Sequence, residues 1–88
     1  MIPWRVAFAP SAWKDLERLQ KYERDSVQRS IERLAQDPTS VDVKKLKAAR
    51  ELWRMRVGRL RVRFRFLRDT RTIEVLRILP RGKAYDNL

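Results

Sequence analysis

Arginines at every second position dominate the C-terminal half of this sequence. They occur in two neighbouring segments, as Arg54 and Arg56 and then as Arg61, Arg63 and Arg65. Residues two apart on a β-strand share a face, so this spacing predicts a ladder of arginines on one side of a sheet. Guanidinium groups bind phosphate through planar, bidentate hydrogen bonds. The chemistry that the ladder predicts is therefore the binding of a polyanion.

The ladder has no local acidic residues to neutralise it, because the sequence contains no Asp or Glu between Glu51 and Asp69. The alternative interpretation is a solvated sheet face, on which charged side chains discourage edge-to-edge pairing. Like charges facing each other across strands lower stability, which favours a surface for a polyanion or an acidic peptide. Phosphate contacts carry no sequence information, so the ladder predicts affinity and salt dependence rather than catalysis.

The composition favours the same partners and excludes several kinds of site. The 88 residues suffice for one domain, 1–88, and 22 Lys and Arg against 11 Asp and Glu give a formal net charge of +11. The absence of cysteine and histidine excludes disulfides, thiolate catalysis and an imidazole acid or base. We expect no metal and no cofactor. No apolar stretch suits a signal peptide or a membrane span, so we expect a cytoplasmic protein.

The elements that position the ladder begin with a short half-buried strand, predicted by the alternation from Trp4 to Phe8. A first helix is predicted to start with Ser11 as its N-cap, directly after Pro10. Its spacing predicts a buried side formed by Trp13, Leu16 and Leu19. Its predicted solvent side is formed by Lys14, Asp15, Glu17 and Arg18.

A second helix is predicted after a polar turn over residues 20–24. Asp25 to Gln28 is typical of a capping box, and Asp37-Pro38 is expected to end the helix. Its apolar stripe is formed by Val27, Ile31, Leu34 and Ala35. A connector follows over residues 39–51, in which Val43 and Leu46 are expected to anchor the chain to the core.

Three further strands are predicted from the period of two after residue 52. They span Trp53 to Val57, Leu60 to Phe66 and Thr72 to Leu79, with turns at Gly58-Arg59 and over residues 68–71. The last strand is apolar on both faces, which indicates a central position. The order is β-α-α-β-β-β, and the fold class is α+β. The helical hairpin must cover one face of a small, mainly antiparallel sheet, and the arginines emerge on the other.

The order of elements and two sequence segments together resemble the RelE/ParE toxin superfamily. The segments are Glu51-Leu52-Trp53-Arg54-Met55-Arg56-Val57-Gly58-Arg59-Leu60-Arg61-Val62, preceded by Leu46-Lys47, and Arg77-Ile78-Leu79-Pro80-Arg81-Gly82-Lys83-Ala84-Tyr85. The resemblance covers essentially the whole chain. It implies a toxin that cuts mRNA in the ribosomal A site and is silenced by a co-expressed antitoxin.

The resemblance also implies which residues act on the scissile phosphate. The catalytic positions carried over are Arg54, Arg56, Arg61, Arg81 and Tyr85. We expect further cations to bind the RNA around them, at Lys45, Lys47, Arg59, Arg63, Arg65, Arg77 and Lys83. The RNA 2′-OH would attack the neighbouring phosphate, while Arg61 and Arg81 stabilise the developing negative charge. Tyr85 would stack on a base or assist proton transfer.

The sequence departs from the ribonuclease pattern in two respects. Arg54 and Arg56 occupy positions where the best-studied ribonuclease members have lysine, and Leu79-Pro80 precedes Arg81 where many relatives have Gly-His. Arginine stays protonated and is a poor general base, so Lys83 or Lys47 is the remaining nitrogen for that role. Three of the residues carried over as catalytic also have simpler interpretations. Arg61 would pair with Asp86, Tyr85 would cap the packing, and Arg81 would contact only the antitoxin.

Two other functions remain open at this point. One is a ParE-like toxin that inhibits DNA gyrase and cleaves nothing, because fold does not fix function. The other is a non-toxic RNA-binding module that uses only the basic sheet. Under either toxin hypothesis, the expected partner is an antitoxin whose acidic segment docks across the arginines as a strand or helix. Under the nuclease hypothesis, mRNA and the ribosome are partners as well.

Overall fold

In the part of the chain that the structure describes, five strands form one sheet against which two helices pack. The computed structural model describes residues 3–46 and 51–82, and its elements are β1 (Arg5–Phe8), α1 (Pro10–Arg18), α2 (Lys21–Gln36), a 3-10 turn (Pro38–Ser40), β2 (Val43–Lys45), β3 (Trp53–Val57), β4 (Leu60–Leu67) and β5 (Thr72–Pro80). The strand order is β1-β5-β4-β3-β2. Strand β1 runs parallel to β5, and the other neighbours are antiparallel. The predicted α+β class, with a helical hairpin on a mainly antiparallel sheet, is confirmed.

The core lies between the helices and one face of the sheet. The α2 stripe predicted from the sequence, Val27, Ile31, Leu34 and Ala35, is buried as expected. Opposite it, Val62 and Phe64 of the central strand β4 are fully buried, together with Met55 of β3. Strand β5 lies between β1 and β4, so the prediction of an interior position is also confirmed. Neither helix in the described part of the chain has the length and apolar character needed to cross a bilayer.

Helix α1 turns a different side to the core than the sequence predicts. Asp15 is only 8% exposed, whereas Trp13 is 53% exposed and makes an edge contact with Phe8. The cause lies in β5, which continues beyond the last residue paired with β1. There the Asp15 carboxylate accepts the Ile78 N–H at 2.9 Å, beyond the part of β5 that β1 pairs. Satisfying a buried backbone donor outweighs the hydrophobic pattern, and the predicted solvent position of Asp15 is wrong.

Both helix starts also differ from the predictions. Helix α1 begins at Pro10 with Ala9 as its N-cap, and α2 begins at Lys21 with Gln20 as its N-cap; neither cap side chain forms a hydrogen bond. Ser11 is therefore not the N-cap, and Asp25 to Gln28 lies inside α2 rather than at its start. The α2 N-terminus is instead fixed by Glu23, which reaches the turn between β3 and β4. The predicted end of α2 before Pro38 is confirmed.

The predicted connector contains an additional strand. Strand β2 pairs antiparallel with β3, with Val43 opposite Met55, and it forms one edge of the sheet. Val43 packs against the core and Leu46 is buried, so both predicted anchors are confirmed. Three residues give too short an alternation to indicate a strand in the sequence.

The burial difference between two aromatic residues gives a direct test of this fold. Phe64→Ala should lower the free energy of unfolding by about 3–5 kcal/mol, because it removes a fully buried ring from the central strand. Trp13→Ala should lower it by under about 1 kcal/mol, because that ring is half exposed. Urea denaturation of both variants measures the difference, and equal losses would contradict the described packing of α1.

Candidate functional site

The arginines of β3 and β4 face one another across the strand pair. Arg54 lies opposite Arg63 and Arg56 lies opposite Arg61, and residues so paired have Cα atoms roughly 4.5–5.5 Å apart. The intervening pair is Met55 and Val62, both in the core. Side chains alternate between faces, so the arginines lie on the face away from the helices.

Burial divides the ladder into an inner and an outer set. Arg54 is 7% exposed, Arg61 is 3% exposed and Arg63 is also buried, whereas Arg56 and Arg65 are exposed. The sequence pattern predicts a shared face but not this division. Charged side chains are seldom buried unless they are paired, so the inner set requires an explanation.

The outer arginines have acidic partners on neighbouring segments. Arg56 Nε lies 3.6 Å from Asp42 Oδ2, and Arg65 Nε donates a hydrogen bond to Glu74 Oε1. Asp42 and Glu74 lie outside residues 51–69, so the expectation that the ladder is uncompensated is wrong for Arg56 and Arg65. Exposed pairs of this kind contribute little to stability. Their effect is to neutralise the rim of the face.

The inner arginines Arg54 and Arg61 have no acidic partner among the described residues. Arg61 Nη1 donates to the backbone oxygens of Gly58 and Leu60, at 2.9 Å each, while its Nε is buried without a hydrogen-bond partner there. Arg54 Nε and Nη1 are likewise buried and unsatisfied within residues 3–46 and 51–82. Buried polar atoms almost always have a partner, and an absent water or ion is a standard reason for an exception. These three nitrogens therefore mark a place for an acceptor.

Positive charge continues from Arg54 and Arg63 onto the neighbouring strand β5. Arg77 lies opposite Arg63, and burial, with a smaller contribution from the Arg77 charge, lowers the pKa of Arg63. Arg77 itself is held by Asp15 through bonds of 2.8 and 3.2 Å, which raise the pKa of Arg77. The central part of this face is therefore strongly cationic, and α1 supplies a counter-charge at its β5 end.

The turn between β3 and β4 brings Arg61 and Arg81 close together in the fold. Glu23 of α2 accepts two hydrogen bonds from Arg59, at 2.7 and 3.0 Å, and this pairing raises the pKa of Arg59. The Arg81 N–H donates to the Arg59 backbone oxygen at 2.9 Å, and the Arg81 side chain is exposed. Arg61 binds backbone oxygens of the same turn. Arg61 and Arg81, the two arginines expected to stabilise the phosphate, are therefore both hydrogen-bonded to the backbone of this turn.

The remaining expected site residues are placed as follows. Lys45 is exposed on the edge strand β2, opposite Trp53. Arg59, Arg65 and Arg77 are each in ion pairs. Tyr85, Lys47 and Lys83 lie outside the described residues, as does Asp86, the partner considered for Arg61. The pattern of the sequence did not predict that Asp15 and Glu23 bind arginines of this region. The signal that could have indicated them is an acidic residue next to the apolar positions of an amphipathic helix.

The unsatisfied nitrogens of Arg54 generate a stability prediction. Arg54→Met should raise the free energy of unfolding by about 1–3 kcal/mol in anion-free buffer, because it removes buried donors that lack an acceptor. Added phosphate should stabilise the unsubstituted protein more than the variant, since an anion bound to the native state shifts the equilibrium.

Arg56→Met is the matched control, because Arg56 is exposed and paired with Asp42. Its stability should change by no more than about 0.5 kcal/mol. Thermal and urea denaturation with and without phosphate measure both effects. A destabilised Arg54→Met variant with an unchanged phosphate response would show that the arginine is structural.

Known proteins are similar to this chain in both sequence and fold. A family model described as the ParE toxin of the type II toxin–antitoxin system parDE matches residues 6–85. A Methanocaldococcus jannaschii protein described as a candidate RelE1 toxin is 35% identical over 77 residues, which cover 84% of this chain and 86% of the relative.

Two solved structures of similar chains contain antitoxins. The chain in the archaeal RelE-RelB complex of Pyrococcus horikoshii has a TM-score of 0.77 and 27% identity, with 94% of this chain and 99% of that chain covered. The chain in the toxin-antitoxin complex RelBE2 of Mycobacterium tuberculosis has a TM-score of 0.77 and 26% identity, with 91% and 100% covered. The resemblance noted in the sequence is confirmed. The chain belongs to the RelE/ParE superfamily of type II toxin–antitoxin toxins.

Proposed function

We propose that this chain is an endoribonuclease toxin that cleaves mRNA, in the ribosomal A site, and that a cognate antitoxin neutralises it. The observation that carries the proposal is the pair of buried arginines, Arg54 and Arg61: Arg54 Nε, Arg54 Nη1 and Arg61 Nε have no hydrogen-bond acceptor in the described part of the chain. An RNA phosphodiester supplies oxygens that match such donors. Its negative charge also offsets the cost of burying two cations on the same face of neighbouring strands.

The proposed chemistry is transesterification within the RNA. The 2′-oxygen attacks the adjacent phosphorus, the bond to the 5′-oxygen breaks, and the products end in a cyclic phosphate and a 5′-hydroxyl. Negative charge grows on the phosphate oxygens during this step. Arg61 and Arg81 would stabilise that charge, because fixed donors aimed at developing charge lower the barrier without reorganising. Arg54 and Arg56 would orient the phosphate from β3.

Proton transfer needs groups other than these arginines, which remain protonated. The chain has no histidine. Tyr85, Lys83 and Lys47 are the proposed donors or acceptors, since a lysine crowded by cations loses its proton more readily. Tyr85 would alternatively stack on a base of the substrate.

The proposed antitoxin would act by covering the cationic face. The similar chains from P. horikoshii and M. tuberculosis were each solved in complex with an antitoxin. A formal net charge of +11 favours an acidic segment as the partner, because complementary charge accelerates association and suppresses wrong partners. Such a segment would supply carboxylates to Arg54 and Arg61 and exclude the RNA phosphate.

A second candidate function is inhibition of DNA gyrase without RNA cleavage. The observation that favours it is the family model, which is described as a ParE toxin and matches residues 6–85. Purified protein should then block gyrase supercoiling while leaving mRNA on programmed ribosomes intact. The nuclease proposal requires the reverse result.

The role of Arg81 can be tested with little risk to the fold, because its side chain is exposed. Arg81→Ala should lower the rate of mRNA cleavage on programmed ribosomes by about 100- to 1,000-fold, the usual effect of removing one charge-stabilising donor. The melting temperature should stay unchanged.

Arg68→Ala is the charge-matched control. Arg68 is exposed in the turn between β4 and β5, which connects the ends of those strands remote from Arg81. Its variant should cleave at the rate of the unsubstituted protein. Full cleavage by Arg81→Ala, or equal losses in both variants, would refute the proposed role of Arg81.

A further inference from the structure

Lys44 extends the cationic row to the edge of the sheet. In β2, Lys44 lies directly opposite Arg54 of β3, and Arg54 in turn lies opposite Arg63 of β4. Arg63 lies opposite Arg77 of β5. Four cations thus occupy consecutive strands along one line across the sheet. Neighbouring strands are about 4.8 Å apart, so the row is about 14 Å long.

The register of β2 places Lys44 on the arginine face and its neighbours on the other. Val43 pairs with Met55 and packs against the core, and Lys45 pairs with Trp53, which also packs there. Since faces alternate along a strand, Lys44 shares the face of Arg54. Its side chain is exposed, and no ion pair holds it among residues 3–46 and 51–82.

We infer that this row is a track for the sugar–phosphate backbone of single-stranded RNA. The track rests on the proposed function for its substrate and extends it beyond the scissile phosphate. The RNA enters over the β2 edge, where Lys44 binds one phosphate. It then crosses Arg54 toward Arg61 and the turn that holds Arg81. Lys44 therefore contributes to substrate affinity at a distance from the reacting bond.

Along its full length the row suits a nucleic acid backbone better than a peptide strand or helix, although an acidic segment could still cover Arg54 and Arg61. An added peptide strand gains affinity from main-chain hydrogen bonds at a free sheet edge, and a peptide helix needs an apolar groove. The row instead crosses the middle of the sheet, where β3 and β4 are paired on both sides. The neighbouring position of the same face adds a second pair of cations, Arg56 and Arg61. A single-stranded nucleic acid carries one negatively charged phosphate per nucleotide on its backbone, and this regular spacing of charge matches the closely spaced cations of the row.

The test compares Lys44→Ala with Lys14→Ala, which removes an exposed lysine on α1, a helix that packs on the opposite side of the sheet. Binding of a single-stranded RNA hexanucleotide with 2′-O-methyl sugars throughout, which blocks cleavage, is measured over a series of KCl concentrations. Lys44→Ala should reduce the slope of log affinity against log salt by about 0.7, which corresponds to one lost phosphate contact on a single strand. Lys14→Ala should leave the slope unchanged. A dinucleotide, too short to reach from Arg61 to the β2 edge, should bind both variants equally.

Each result supports or overturns the track. Equal losses in the two lysine variants, or a Lys44→Ala slope equal to that of the unsubstituted protein, would overturn it. So would a Lys44→Ala variant that binds RNA normally but binds an acidic peptide more weakly. If Lys44→Ala reduces the salt slope as expected but the unsubstituted protein cleaves no mRNA, the track stands and the proposed nuclease function fails. If it cleaves mRNA while Lys44→Ala binds like the unsubstituted protein, the nuclease function stands and the track fails.

Discussion

Like-charged arginines face each other directly across the β3–β4 strand pair, and the rest of the structure depends on holding them there. Arg54 opposes Arg63 and Arg56 opposes Arg61, an arrangement that by itself lowers stability. The core on the other face enforces it. A shift of one residue would move the buried Met55 to the solvent face, so the hydrophobic packing fixes the register of the arginines as well. The site is therefore preorganised by residues that never contact its ligand.

The acidic residues of the described chain neutralise the arginines selectively. Each of four ion pairs joins an acid to an arginine at the border of the cationic face or beside it: Asp15 with Arg77, Glu23 with Arg59, Asp42 with Arg56 and Glu74 with Arg65. Arg54 and Arg61, buried at the centre, receive no carboxylate from the described residues. Because of this distribution, an anion is attracted most strongly to the position of Arg54 and Arg61 rather than equally to the whole face. It also makes the position suitable for either of two anions, an RNA phosphate or a carboxylate of an inhibitor.

Much of this arrangement follows from the sequence, because strand alternation is a local property. The period of two from Trp53 onward predicts both the strands and the shared face of the arginines. The exposure of Trp13 and the burial of Asp15 could not be predicted in that way. They depend on β5 extending past β1, and Asp15 and Ile78 are 63 residues apart. The burial of Arg54 and Arg61 is a tertiary property too, since alternation assigns a face but not its depth.

We propose that the substrate phosphate binds at the buried nitrogens of Arg54 and Arg61 that lack an acceptor among the described residues. A crystal structure of the protein with an RNA dinucleotide whose attacking 2′-oxygen is methylated would test it most directly. We expect phosphate oxygens within hydrogen-bonding distance of Arg54 Nε or Nη1 and of Arg61 Nε, with Arg81 close enough to contact the same group. A dinucleotide bound elsewhere on the molecule, with those nitrogens still lacking an acceptor, would show that Arg54 and Arg61 do not bind the substrate phosphate.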